Sequence, residues 1–266
     1  MTAPPLRFAF QREPLCLVEK TAVRQVLMLA PDGAVAPLIA PAFSTEAADN
    51  PTAVPLNRLP FGALWQSGMP PPCPVGTVEF CRAWMHASGM DEPDPLDYPP
   101  PLRGYLRRCV QRFGSPQDAL DGWWVKPVAT KAWEAFRCTT KKPAPRLDGP
   151  IWCSSHLPIA AEFRAYVLGA KLCGVARYDD AEGPDEAPPA VTDFALRAVS
   201  AYSRSGTAPA AYALDVVLLT DGTAALLEVS DAWALGKYKG VNPLDYAKML
   251  LARWAELCGR PVYRGS

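Results

Sequence analysis

Apolar and polar positions alternate most clearly in the carboxy-terminal half of the chain. Ile159–Leu168 and Lys171–Tyr178 read as strands around Gly169-Ala170, a two-residue loop with glycine first. Ala211–Thr220 and Thr223–Val229 flank Asp221-Gly222, a stronger hairpin signal. Thr192–Tyr202 carries apolar residues at helical spacing. Pro243 follows Asn242 at a helix start, and that helix runs to Leu257 before Gly259. Hairpins and helices are interleaved, which predicts an α+β chain and not a doubly wound parallel sheet.

The amino-terminal half is harder to read. Of the 30 prolines, most fall in residues 1–150. Pro70–Pro74 and Pro93–Pro101 read as connectors, since proline removes a backbone donor. Gln25–Leu29 and Ala36–Ile39 are strand candidates around an Asp32-Gly33 turn. Thr77 is an N-cap candidate for a helix over Val78–Ser88. Leu102–Phe113 is expected to be a second helix with Arg103, Arg107, Arg108 and Arg112 on a solvated face. Gly122–Pro127 reads as a strand ended by proline.

Composition narrows the class. The chain has 266 residues, enough for a sizeable core. Its 27 Lys+Arg balance 27 Asp+Glu, so no bulk charge draws it to nucleic acid or an anionic membrane. Eight cysteines include no Cys-x-x-Cys pair, and two histidines leave zinc a poor fit. No apolar run approaches the roughly 18 residues of a membrane span. Scattered thiols and the absence of a signal-like amino terminus are read as cytoplasmic.

The hairpins bring chemistry together. A two-residue loop at Asp221-Gly222 sets Asp215 opposite Glu228, with Ser230 on the same face. Two opposed carboxylates at about 5 Å repel by roughly 3 kcal/mol at an effective dielectric near 20. Among apolar neighbours they need a proton, a cationic side chain or a metal. Oxygen ligands without histidine suit Mg²⁺ with phosphates completing its shell; a sheet-rim pair meeting lysine or arginine is the plainer alternative. In the first hairpin a two-residue loop sets Glu162 opposite Arg177, with Arg164 beside Glu162. That trio reads equally as a salt bridge or as a guanidinium clamp for phosphate or carboxylate oxygens. Lys126 ends an apolar strand, and Lys131 follows in a loop.

The order Trp124-Val125-Lys126-Pro127, Lys131, Glu162-Phe163-Arg164, Asp215, then Glu228-Val-Ser-Asp-Ala-Trp-Ala-Leu-Gly-Lys-Tyr238 resembles the ATP-grasp superfamily. It is most similar to the clade named for two arginines and one lysine, over about residues 75–258. The resemblance implies two α+β subdomains gripping ATP, here 76–150 and 151–266, preceded by a small α/β domain at 1–75. It implies Lys126 and Lys131 on the nucleotide phosphates, and Trp152 and Glu162 among the nucleotide-binding residues. It implies Asp215, Glu228 and Ser230 around Mg²⁺, and Arg164 and Arg177 stabilising charge during transfer. Trp152–Leu157 would link the subdomains close to the adenine. The implied activity joins a carboxylate to an amine or similar nucleophile through an acylphosphate, with ATP and Mg²⁺ as cofactors. Ser230 stands where the family usually has asparagine, with Asp231 as a neighbouring candidate ligand. Trp133 and Ala135 stand where the family usually has phenylalanine and glycine. Two other readings remain: an ATP-binding or regulatory module with a weakened metal site, and a peptide-binding protein using Trp123, Trp124, Trp133 and Trp152.

Overall fold

A computed structural model describes residues 8–11, 17–29, 71–139, 148–179 and 183–259. The expected strand Ala36–Ile39 and its Asp32-Gly33 turn lie outside them. Fourteen named elements carry the site. They are β1 (Phe8–Phe10), α1 (Leu17–Leu29), β2 (Cys73–Val75), α2 (Val78–Ala87), β3 (Val110–Phe113), β4 (Trp124–Pro127) and β5 (Phe136–Arg137). There follow β6 (Ile151–Ser154), β7 (Ile159–Leu168), β8 (Lys171–Arg177), α3 (Pro189–Arg204), β9 (Ala211–Leu219), β10 (Ala224–Asp231) and α4 (Pro243–Leu257).

One antiparallel sheet has the order β10-β9-β7-β8, and a second has the order β3-β6-β4-β5. Residues 155–158 carry the chain from β6 to β7. A parallel pair, β1-β2, joins residues far apart in the sequence, with α1 between them along the chain. Phe8, Phe80 and Trp254 share one core, so β1 and β2 pack with α2 and α4. The mixed α+β architecture matches the alternation of hairpins and helices in the sequence.

The hairpin strands form because their alternate residues bury on opposite faces of the first sheet. Phe163, Ala165, Val167, Leu214 and Val216 meet Phe194 and Ala198 of α3. Tyr166, Ala211 and Ala213 meet Tyr246 and Leu250 of α4 on the other face. Gly169 and Gly222 adopt positive φ, at 60° and 80°, which the tight loops require. Asn242 accepts from the Asp245 amide at 2.8 Å and Pro243 opens α4. Thr77 caps α2 in the same way through Phe80 N–H.

Two expected elements differ. Gln25–Leu29 belongs to α1; Lys20, Ala22 and Val23 are buried while Val18 and Thr21 are exposed, a helical and not an alternating pattern. Leu102–Phe113 is not one helix. Pro100–Tyr105 forms 3₁₀ turns, Arg107 takes φ 51°, and Val110–Phe113 becomes β3 against β6. The positive φ of Arg107 breaks any helix running on from these turns, and the Val110–Phe113 backbone finds its partners in β6.

Candidate functional site

The first sheet carries a charged row on its α4 face. Along β9 that face reads Ala211, Ala213, Asp215, Val217. The two alanines lie in the α4 core, while Val217 packs with Leu157 and Ala225. Asp215 occupies the gap between these apolar clusters. Arg164 of β7 is its register partner on one side and Glu228 of β10 on the other. Glu162 and Ser230 extend the row along their own strands.

Asp215 is 1% exposed and is gripped by Arg164 through both carboxylate oxygens, Nε to Oδ1 at 2.7 Å and Nη2 to Oδ2 at 2.9 Å. Ser230 Oγ donates to Oδ2 at 3.1 Å. The guanidinium lies 5.0 Å from the Tyr178 ring centroid and 5.5 Å from that of Tyr238. Tyr238 is placed by its own loop. Tyr166 Oη accepts from the Tyr238 amide and donates to Gly236 O, while Glu19 accepts from the Lys237 amide. The loop rests on β8 at Gly174, where a Cβ would come within 2.0 Å of Gly240 O.

Lys126 reaches the row from the second sheet. Its ammonium pairs with Glu228 Oε2 at 2.6 Å and with Asp97 Oδ1 at 2.5 Å. Trp152, opposite Lys126 in the β4–β6 ladder, donates from its indole to Asp97 Oδ2 at 2.7 Å. Asp97 is buried at φ 40°, and its carbonyl accepts from Val229 N–H of β10. One residue of a proline-rich connector thus ties the two sheets together. Sequence reasoning missed it.

The charges tune one another. Burial pushes the Asp215 and Asp97 carboxyls up from the ordinary range, against the pull of Arg164 and Lys126 respectively. For Glu228, burial is the largest single effect and pushes the carboxyl up, but Lys126, Arg164 and Arg108 together more than offset it and hold the carboxyl low. Burial also raises Glu162, although Tyr178 hydrogen-bonds it. A carboxyl raised in the fold favours the folded state at low pH. That contribution is full below the unfolded carboxylate value, about 4, and is lost as pH rises through the folded value. Stability of the nucleotide-free protein is therefore expected to fall as pH rises above about 4, with Glu162→Gln flattening part of the slope. Urea titrations across a pH series check this; a Glu162→Gln slope equal to wild type refutes the assignment.

One sequence expectation needs correction. Glu162 does not face Arg177. A bulge between Tyr166 and Val167 shifts the ladder, so Phe163 is opposite Arg177. Arg177 pairs instead with Asp179 at 2.7 Å, and Asp179 also accepts from Glu162 N–H. Asp231, the neighbouring candidate ligand, meets Arg253 through both its oxygens at 2.8 and 2.7 Å, as Asp215 meets Arg164. Of the remaining residues, all but Asp215 line two cavities; Asp215 is buried behind Arg164 and Ser230. One, of about 480 Å³, is lined by Tyr98, Lys126, Trp152, His156, Glu162 and Glu228, among others. The other, of about 490 Å³, has Asp97, Lys126, Lys131, Arg164, Glu228 and Tyr238 in its wall. Lys126 and Glu228 stand where the cavities meet. Lys131 is exposed at φ 52°, on a loop held by Arg82 through Thr130 O. Arg177 lines neither cavity.

Residues 45–257 match the ATP-grasp domain of family 3 in the clade named for two arginines and one lysine. The chain belongs to this ATP-grasp family. No curated protein matches the sequence. Among solved structures, ATP-grasp ligase PsnB, complexed with a phosphomimetic variant of minimal precursor, Mg and ADP, is 18% identical with a TM-score of 0.39. That likeness covers 58% of this chain and spans 55% of the PsnB chain. The L-amino acid ligase from Bacillus licheniformis is 15% identical over 86% of this chain and 67% of its own, with a TM-score of 0.47. The D-alanine–D-alanine ligase from Bacillus anthracis is 12% identical over 96% and 95%, with a TM-score of 0.44. Among the described residues no helix of this ATP-grasp chain is long and apolar enough to cross a membrane.

Proposed function

We propose that this ATP-grasp chain is an ATP- and Mg²⁺-dependent ligase that joins a carboxylate to an amine or similar nucleophile through an acylphosphate. The observation that carries the reading is the charged row of Lys126, Glu228, Asp215 and Arg164, of which Lys126 and Glu228 stand where two cavities meet. The smaller cavity, walled by Tyr98, Trp152 and Leu227, suits a flat base. The larger one, with Lys131 and Arg164, suits phosphate oxygens and a carboxylate. Phosphoryl transfer asks a protein for positioning and charge neutralisation more than for a nucleophile.

Lys126 and Lys131 would meet the nucleotide phosphates. Arg164 would hold an anionic oxygen near the reacting centre, with Arg177 an outer charge tied to Asp179. The donor set fits Mg²⁺. Asp215 and Glu228 are opposed carboxylates with the Ser230 hydroxyl beside them. Among the described residues no three His, Cys, Asp or Glu form a metal cage by themselves. Mg²⁺ is commonly held by one or two carboxylates with phosphates and waters. When bound, it would supply charge neutralisation at the transferred phosphoryl group. Residues 76–150 and 151–266 would be the two gripping subdomains, with 1–75 shaping the substrate side and Trp152–Leu157 the link. The carboxylate and the amine-type acceptor would be small molecules or peptides, with no role for nucleic acid or membrane, in a cytoplasmic setting.

Calorimetry of ATP binding with Mg²⁺ and then with EDTA tests the nucleotide site. Metal-dependent micromolar affinity, about −8 kcal/mol, is expected; no binding in either condition rejects the reading. A second reading, an ATP-binding module without turnover, is favoured by one observation: Arg164 occupies both oxygens of Asp215. ADP release that depends on an added acceptor supports the ligase, and tight ATP binding with no release across acceptors supports the module.

A further inference from the structure

Glu228 reaches the cleft only because β10 bulges. Ala224, Ala225 and Leu226 pair with Leu218, Val217 and Val216. Continued without a break, that register would set Leu227 opposite Asp215 and turn Glu228 toward Leu214, in the α3 core. The ladder instead shifts between Leu226 and Glu228, and Leu227 is the extra residue. A bulge of this kind re-aims a side chain, and something must hold it.

We propose that Arg108 is a positioning residue whose guanidinium clamps this bulge and so keeps Glu228 on the cleft face. Nη1 donates to Leu226 O at 2.8 Å and Nη2 to Leu227 O at 2.6 Å, the carbonyls of the bulge itself. The guanidinium carbon lies 5.7 Å from the Tyr98 ring centroid, and that ring also carries the Lys126 ammonium at 5.0 Å. The segment bearing Arg108 is fixed on both sides. Leu106 is buried in the α3 core, and Cys109 exchanges hydrogen bonds with Ser155 in the link between sheets. Arg103, Arg107 and Arg112 of the same stretch are exposed. A planar fork spans two successive carbonyls; a lysine ammonium offers a single point.

The consequence for metal binding rests on the reading of Glu228 given above, so the test has one arm with a ligand and one without. Hydrogen exchange of nucleotide-free protein reads the clamp directly. Arg108→Met should speed exchange across 226–229 at least tenfold and leave α3 and α4 unchanged. Calorimetry should show the Mg²⁺-dependent gain in ATP affinity cut 10- to 100-fold, with affinity in EDTA within about twofold. Arg108→Lys should restore neither. Deleting Leu227 supplies the decisive control. The residues on both sides of the bulge then fall into one continuous register with Glu228 still opposite Asp215, and a further Arg108→Met should change exchange less than about twofold. Unchanged exchange in Arg108→Met, rescue by lysine, or an undiminished effect after the deletion overturns the proposal. An equal loss of affinity in EDTA also overturns it, because Arg108 would then touch the nucleotide. Should the deletion not fold, the methionine and lysine variants decide by exchange alone. If wild type shows no Mg²⁺-dependent gain, the metal reading fails, and the exchange arm still decides the clamp.

Discussion

Alanine at Asp215 is expected to cost the fold about 3–5 kcal/mol, the range for stripping one partner from a buried ion pair. Arg164 gives two of its nitrogens to this carboxylate and is 13% exposed in its side chain. It has little room to turn elsewhere, since Tyr178 and Tyr238 face the guanidinium. Glu228, the carboxylate opposite Asp215, is already held by Lys126. Asp215→Asn should cost less, because the amide oxygen still accepts one bond. Replacing both partners with apolar residues, Asp215→Leu with Arg164→Met, should recover much of the loss, since the pair's desolvation disappears together with its attraction. None of these variants should recover Mg²⁺-dependent ATP affinity, which is expected to fall at least tenfold in each. Urea unfolding and calorimetry together check the prediction. A destabilisation below about 1 kcal/mol in Asp215→Ala would mean that Arg164 finds another anion, and that the pair is a surface-like contact.

The hairpins and α4 were legible because each is marked by local chemistry. Gly169 and Gly222 supply positive φ at the loops, and Asn242-Pro243 is a capped start. The first sheet followed from alternation, and the resemblance placed the chain in its family. Register was legible only up to bulges, which alternation does not encode. Both hairpins contain one. In the first, the shift at Tyr166/Val167 separated Glu162 from Arg177. In the second, the ladder near the turn is offset from a two-residue loop, and the bulge at Leu227 restores the Asp215–Glu228 opposition. The expectation was right by a route that the pattern did not contain. The plainer alternative for the carboxylates also holds here, since Arg164 and Lys126 pair with them. Asp97 was illegible for another reason. It matters through a backbone bridge to β10 and a bend at φ 40°, and neither is written in the proline-rich stretch around it. Arg108 was read as one of a solvated helical set, and the loss of that helix removed the premise.

Lys126→Met should weaken ATP binding about 10- to 100-fold, in keeping with the loss of a charge-assisted contact, and should destabilise the protein in a pH-dependent way. The ammonium sits between Asp97 and Glu228. Burial alone would pull its own pKa down; Glu228, Tyr98 and Asp97 more than reverse that, so the lysine stays charged. Without it two carboxylates face each other across one gap. The upper bound is again about 3–5 kcal/mol, reduced because the Glu228 side chain keeps 31% exposure and water can screen it. The sign follows from linkage. Removing the cation raises both carboxyl pKa values in the folded state. The variant then keeps its stability below about pH 4, where unfolded carboxyls are also protonated, and loses it as pH rises through the new folded values. The gap between wild type and variant should therefore widen from about pH 4.5 to about pH 7.5. Asp97→Asn in the same background should narrow it, because one of the two facing charges is gone while the amide oxygen still accepts from Trp152. A gap equal at both pH values would show that the lysine stem, and not its charge, carries the effect.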